Sequence, residues 1–223
     1  MAAAARALHT PVVSGNASLY NESGGAAIYP TPIIGMVGVL EGRAPLPAAA
    51  GHAGDIIALA GPWRDTPDDL AGSTYLAALH HLVAGRPPQL DLAVEASVQR
   101  FVIDAHARSL LQSAHDCSDG GLGVALAEWC IWANLGITID EHLAAGISSP
   151  IGVLFGEAPS RIILCIASGE WNATSNFAAE RGVILTRMGT AGGYHLRFGG
   201  LDVLVADLHD RWEHGLEQAL QAD

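Results

Sequence analysis

Along the chain the apolar positions change their spacing, and each change predicts a different kind of element. Residues 11–20 and 33–40 are apolar stretches joined by a Gly- and Pro-containing loop at 23–32, which reads as β-rich. Two or three strands bury too little surface to be stable alone, so this segment is expected to pack on the rest of the chain or on another subunit. Residues 43–54, rich in Pro, Ala and Gly, predict a linker, after which DIIALA at 55–60 reads as the first buried strand of a second domain. Helical and extended patterns then alternate. Residues 73–83 form a helix stopped by Gly85 and Pro87-Pro88, and 91–111 a longer one with Val94, Val98, Phe101 and Ala105 on one face. The helix after Gly121 aligns Leu122, Ala125, Leu126 and Trp129. Strands are expected at 136–139, 161–167 and 183–187, with a helix over 170–181 between the last two. A hairpin over 194–205 and a final helix carrying Leu208, Trp212, Leu216 and Leu220 on one side complete the domain. The fold class is α+β, a mixed β-sheet covered by helices.

Composition narrows the possible roles. A chain of 223 residues that is 50% hydrophobic has ample material for one large or two small cores. Its 23 Asp and Glu against 11 Lys and Arg give a net charge of −12. That balance lacks the basic footprint of a nucleic-acid binder and disfavours adhesion to anionic membranes. No uninterrupted apolar run approaches the roughly 20 residues of a membrane span. Residues 2–6 lead into Ser14-Gly15-Asn16 without the apolar core of an export signal. A soluble, cytoplasmic protein is expected. The three cysteines, Cys117, Cys130 and Cys165, have no CxxC spacing, so reduced thiols are expected rather than disulfides or a zinc site. The 10 histidines form no HxxxH or HExxH pair.

The strongest chemical signal is HDCSDGGL at 115–122, which opens directly into an apolar-periodic stretch. Two acids, a hydroxyl and two glycines stand where a loop becomes a helix. Such a junction offers backbone N–H groups to phosphate and carboxylates to the Mg²⁺ that accompanies a nucleotide. The same residues also suit a helix cap, with Ser118 or Asp119 as N-cap and the glycines in a tight turn. Cys117 within the motif reads as a small apolar filler rather than a nucleophile. A second cluster, SGNAS at 14–18, places an amide oxygen and two hydroxyls around a glycine turn, and neutral oxygens of this kind suit a hard cation or a phosphate. From the residues alone, a bulge or turn is the better reading of it.

Six runs in order carry a resemblance: TPVVSGNASLYNE at 10–22, YPTPIIGMVG at 29–38, AGSTYL at 71–76, AGRPPQLDL at 84–92, DCSDGGL at 116–122 and FGEAPSR at 155–161. Together they resemble the synthetase subunit of phosphoribosylformylglycinamidine synthases, over a span from about Arg6 to the C-terminus. That family contains two tandem copies of a two-domain unit, and the chain resembles roughly the last third. The resemblance therefore implies a C-terminal remnant of the second A (N-terminal-type) domain at 1–51, β-rich, followed by the second B (C-terminal-type) domain at 52–223. The B domain is of the aminoimidazole ribonucleotide synthetase-like superfamily. Met1 with Ala2 to Ala5 is consistent with a reading frame that begins inside a longer ancestral gene.

The resemblance also implies chemistry. Family members convert formylglycinamide ribonucleotide, ATP and glutamine-derived ammonia to the amidine in purine biosynthesis, working with a glutaminase subunit and a small bridging subunit. By the matching positions, Gly15 would contact ATP, Asn16 would bind Mg²⁺ and Ser18 would contact substrate; Ala17 stands where the family usually has valine. Asp116 would hold Mg²⁺ and Ser118 would contact the nucleotide of an auxiliary ATP or ADP site. No residue here matches the family's catalytic histidine, which lies in the first copy, so no catalytic residue is assigned and the isolated chain is expected to be inactive. FGEAPSR resembles the second copy's counterpart of a substrate-binding segment, although a Glu157–Arg161 structural pair is the preferred reading. The alternative function is a noncatalytic nucleotide-binding or assembly module that pairs with a separately encoded first half. Unpaired strand edges in the N-terminal segment predict association, as a homodimer or as aggregates.

Overall fold

The computed structural model describes residues 1–16, 21–40, 42 and 44–221. It falls into two compact units, Met1–Pro45 and Leu46–Asp223. The first holds a short helix α1 (Ala2–Ala7) and a two-residue ladder between β1 (Glu22–Ser23) and β2 (Ala26–Ala27), turned by Gly24 and Gly25. The strands expected over 11–20 and 33–40 are not formed among the described residues. An apolar run becomes a strand only when a neighbour takes up its N–H and C=O groups, and the ladder here ends after two residue pairs. The apolar side chains stay outside: Val13 is 92% exposed, Ile33 94% and Val37 101%.

The second unit is built on β3 (Ile56–Ala60), which is buried at every position. Successive side chains of a strand point to opposite faces. Ile57 and Leu59 accordingly enter one apolar cluster, while Ile56, Ala58 and Ala60 enter another. A run without alternation of polar residues thus marks a strand covered on both sides. Six more strands flank it: β4 (Ser113–Asp116), β5 (Ile137–Ile139), β6 (Ile162–Ile166), β7 (Leu185–Ala191), β8 (His195–Phe198) and β9 (Leu201–Leu204). Their order is β4-β6-β3-β7-β5-β8-β9, antiparallel throughout except for the β5–β8 pair, so the sheet is mixed as expected.

One face is covered by α3 (Leu92–Ala107) and α7 (Trp171–Glu180), through Val98, Phe101, Ala105, Phe177 and Ala178. The other is covered by α4 (Gly121–Ala133) and α6 (Pro150–Phe155), with Leu122, Ala125, Leu126, Trp129 and Val153 in the core. Trp129 is fully buried and still satisfies its indole, which donates to Ser113 Oγ at 2.9 Å. Ser113 in turn donates to the Ala50 carbonyl at 2.9 Å, and Ala114 N donates to the Pro47 carbonyl at 3.1 Å. The later part of the stretch read as a linker is thereby bonded along the edge strand β4. Helix α2 (Thr74–His80) starts at the Ser73 cap and is shorter than its pattern, because His81 adopts a left-handed conformation. A short helix α5 (Glu141–Ala145), together with α6 and β4, was not legible in the periodicity. The final helix α8 (Val205–Gln221) buries Val205 and half-buries Leu208, whereas Trp212, Leu216 and Leu220 remain exposed.

Candidate functional site

The loop between β4 and α4 gathers the polar groups singled out in the sequence. Strand β4 delivers His115 and Asp116 to the end of the sheet, and Cys117 tucks back into the core, where it is buried. Its N–H donates to the Arg161 carbonyl at 3.0 Å, which continues the β4–β6 ladder by one residue. The chain then turns outward, so that Ser118 hydrogen-bonds the Asp116 carboxylate. That bond chiefly holds the Asp116 carboxyl below its ordinary value, against the opposing effect of partial burial. Asp116 is therefore an ionised carboxylate whose side chain is 68% exposed.

His115 fastens the loop sideways. Its Nε2 lies 3.0 Å from Glu128 Oε2, its ring packs against Trp132 at 5.1 Å between centroids, and its Nδ1 is 3.6 Å from Asp116 Oδ1. Glu128 and Trp132 are one turn apart on α4, so a single helix face supplies both contacts.

The helix start differs from the expected cap. The N-cap of α4 is Gly120, in a left-handed conformation at φ 78°, and it makes no side-chain cap bond; neither Ser118 nor Asp119 caps the helix. Gly121 N donates instead to the Ser118 carbonyl at 2.9 Å. A Cβ at Gly121 would stand 2.5 Å from the Gly156 carbonyl oxygen, so only glycine allows the loop to close on the 156–161 segment.

That segment is also arranged differently from expectation. Glu157 and Arg161 do not pair. Glu157 Oε1 accepts from Gly120 N at 2.7 Å and from Thr74 N at 2.8 Å. Arg161, 3% exposed, donates to the carbonyls of Ala158 and Gly156. Backbone groups win because the half-buried Glu157 meets N–H groups at two helix starts that have no partner within the helix, while the buried Arg161 satisfies loop carbonyls beside it. Sequence spacing could not reveal this, since Glu157 reaches donors 37 and 83 residues away.

Asp116 and Ser118 are thus brought together. Gly15 and Asn16 lie in an irregular, exposed segment of the first unit, and Ser18 falls outside the described residues. The oxygen donors at Asp116 and Ser118 suit Mg²⁺, which takes one or two carboxylates and completes its shell from water and substrate phosphates. Among the described residues no group of three or more His, Cys, Asp or Glu side chains is placed to hold a metal, so a dedicated protein cage is not offered. Two concavities, of about 820 Å³ and 410 Å³, share the wall formed by Arg64 and Gln89, and neither is lined by Asp116 or Ser118. The thiols of Cys117, Cys130 and Cys165 are buried and pushed up to about 12, which suits packing and not nucleophilic chemistry.

A mixed sheet between two helical layers, with a glycine-rich loop feeding a central helix, makes this an α+β domain. Residues 52–196 match the family described as AIR synthase related protein, C-terminal domain, and the chain belongs to that family. It is similar to the phosphoribosylformylglycinamidine synthase subunit PurL of Anaeromyxobacter sp. (strain Fw109-5), 44% identical over 229 residues that cover 99% of this chain and 30% of the relative. The PurL subunit of Moorella thermoacetica is 42% identical over 199 residues, covering 88% of this chain and 26% of the relative. Among solved structures, T. maritima PurL complexed with FGAR superposes with a TM-score of 0.62 at 16% identity, over 74% of this chain and 29% of that one. T. maritima PurL complexed with ATP gives 0.54 at 14% identity, over 74% and 27%. These two likenesses carry the fold. The chain spans about 30% of the length of these curated relatives.

Proposed function

We propose that this chain acts as the C-terminal part of a phosphoribosylformylglycinamidine synthase synthetase subunit, in which it supplies an auxiliary nucleotide site and part of the ATP and formylglycinamide ribonucleotide site. The observation that carries the proposal is the Asp116–Ser118 pair, an exposed carboxylate bonded to a hydroxyl at the mouth of α4. It stands in a chain 44% identical to a PurL subunit across nearly its whole length. In this reading the whole enzyme is an ATP-dependent carbon–nitrogen ligase of purine biosynthesis, working in the cytoplasm with a glutaminase subunit and a small bridging subunit.

Residues 1–51 correspond to the end of the second A domain and 52–223 to the second B domain. Asp116 holds Mg²⁺ and Ser118 meets the nucleotide. At the ATP and ribonucleotide site, separately, Gly15 would meet ATP, Asn16 would offer a neutral oxygen to a Mg²⁺ of that site and Ser18 would meet the ribonucleotide. The ion would neutralise phosphate charge, while the chain's own residues bind and orient. The exposed Val13, Ile33 and Val37 leave apolar side chains free for association, with the preceding part of the synthetase or with a second copy.

The isolated chain is expected to form no amidine from formylglycinamide ribonucleotide, ATP and ammonia, and addition of the preceding two thirds of a PurL subunit is expected to restore turnover. Product formation by the chain alone, abolished by a substitution within it, would overturn this reading.

A further inference from the structure

We infer that Glu157 is a positioning residue, a half-buried carboxylate that holds the 116–121 loop in the form presenting Asp116 and Ser118 and ties that loop to the start of α2. A single carboxylate oxygen, Oε1, accepts from Gly120 N at 2.7 Å and from Thr74 N at 2.8 Å. Gly120 and Thr74 belong to the starts of two different helices, where N–H groups have no partner within the helix. Helix α4 has no side-chain cap of its own, so the charge complementing its N-terminus comes from a segment 37 residues away. Hydrogen bonds to an ionised acceptor are roughly twice as strong as neutral ones, which makes the carboxylate a more effective clamp than a neutral cap.

The clamp stands on a rigid base. Glu157 N donates to the Asp69 carbonyl at 3.0 Å. Asp69 is 2% exposed, and Arg64 holds its carboxylate through two bonds of 2.7 and 2.6 Å. On either side of Glu157, the carbonyls of Gly156 and Ala158 accept from the buried guanidinium of Arg161. Glu157 therefore has little freedom to follow the loop, and the loop conforms to it. Gly120, at φ 78° and without a side chain to brace it, is the residue that would move first on release.

The consequence for ligand affinity rests on the nucleotide reading of Asp116 and Ser118; the clamp itself does not. Amide hydrogen exchange by NMR and calorimetry with Mg²⁺-ATP on the full chain separate the two. In Glu157→Ala, the Thr74 and Gly120 amides should exchange at least about tenfold faster, together, and affinity for Mg²⁺-ATP should fall about tenfold. Glu157→Gln keeps an acceptor oxygen but loses the charge, and should recover only part of both. Glu157→Asp, with its oxygen withdrawn by one methylene, replaces the alanine variant if that one does not fold. Phe177→Leu, on α7 in the opposite helical layer, should lower stability without singling out either amide or changing affinity. Unchanged exchange at either amide, unchanged affinity once both are released, or an equal loss of affinity in Phe177→Leu would overturn the inference. If the wild type binds no Mg²⁺-ATP, the nucleotide reading falls and the paired amide response alone decides the clamp.

Discussion

The two compact units treat the same kind of residue in opposite ways. In Leu46–Asp223, β3 has helices on both faces and its isoleucines and leucine are buried; in Met1–Pro45, isoleucines and valines of comparable β propensity stand exposed. Local preference is thus insufficient to make a sheet. The second unit supplies both neighbouring strands and covering helices, whereas the first supplies two paired residues on each side of a turn. The same contrast divides the candidate site. Asp116 and Ser118 are fixed by a ladder, a histidine and a carboxylate clamp, while Gly15 and Asn16 sit on chain with no such frame among the described residues.

The largest expected difference is in stability. Trp129→Ala removes a fully buried indole and its bond to Ser113, and should cost about 3–5 kcal/mol in urea denaturation. Val37→Ala, at an exposed position, should change stability by less than about 0.5 kcal/mol at concentrations where the chain is monomeric. A Val37→Ala loss in the monomer approaching that of Trp129→Ala would mean that the side chain is covered within the chain itself, and the comparison would fail.

A smaller effect concerns acid. The Asp116 carboxyl is held below its ordinary value, first by Ser118, so its contribution to stability is present above the unfolded carboxylate value of about 3.9 and is lost as pH falls through the lower folded value. Because the side chain is largely exposed, the effect is modest. Urea midpoints between pH 5 and pH 2 should decline slightly less steeply in Ser118→Ala than in the wild type. Identical acid limbs would show that the Ser118–Asp116 bond does not persist in solution.

Much of the second unit was legible because its periods are unambiguous. DIIALA at 55–60 has no polar alternation and proved to be the doubly covered strand, and the Leu122, Ala125, Leu126, Trp129 stripe is the buried face of α4. Strand β4 was missed because its four residues, Ser-Ala-His-Asp, carry little β pattern; they are strand by virtue of pairing with β6. In the first unit the apolar run at 33–40 forms no strand for the complementary reason: among the described residues it meets no strand to pair with, as the sequence reading that such strands cannot stand alone implies. On α8, Trp212, Leu216 and Leu220 share a stripe that α4 announces equally well, yet only the first turns of α8 meet the core.

The site divides in the same way. Asp116 and Ser118 are neighbours in sequence and their pairing could be anticipated. The roles of Glu157 and Arg161 depend on backbone groups brought from 37 and 83 residues away for Glu157 and on loop carbonyls for Arg161, for which no spacing rule exists. His115 and Glu128 required knowing that β4 and α4 lie side by side.

Calorimetry of the full chain with ATP and with ADP, with and without Mg²⁺, tests the central claim most directly when wild type and Asp116→Asn are compared. Weak, Mg²⁺-dependent binding should appear in the wild type and diminish in Asp116→Asn, with the thermal stability of the ligand-free protein little changed. An absence of binding at millimolar nucleotide, or an Asp116→Asn variant that mainly unfolds, would contradict it.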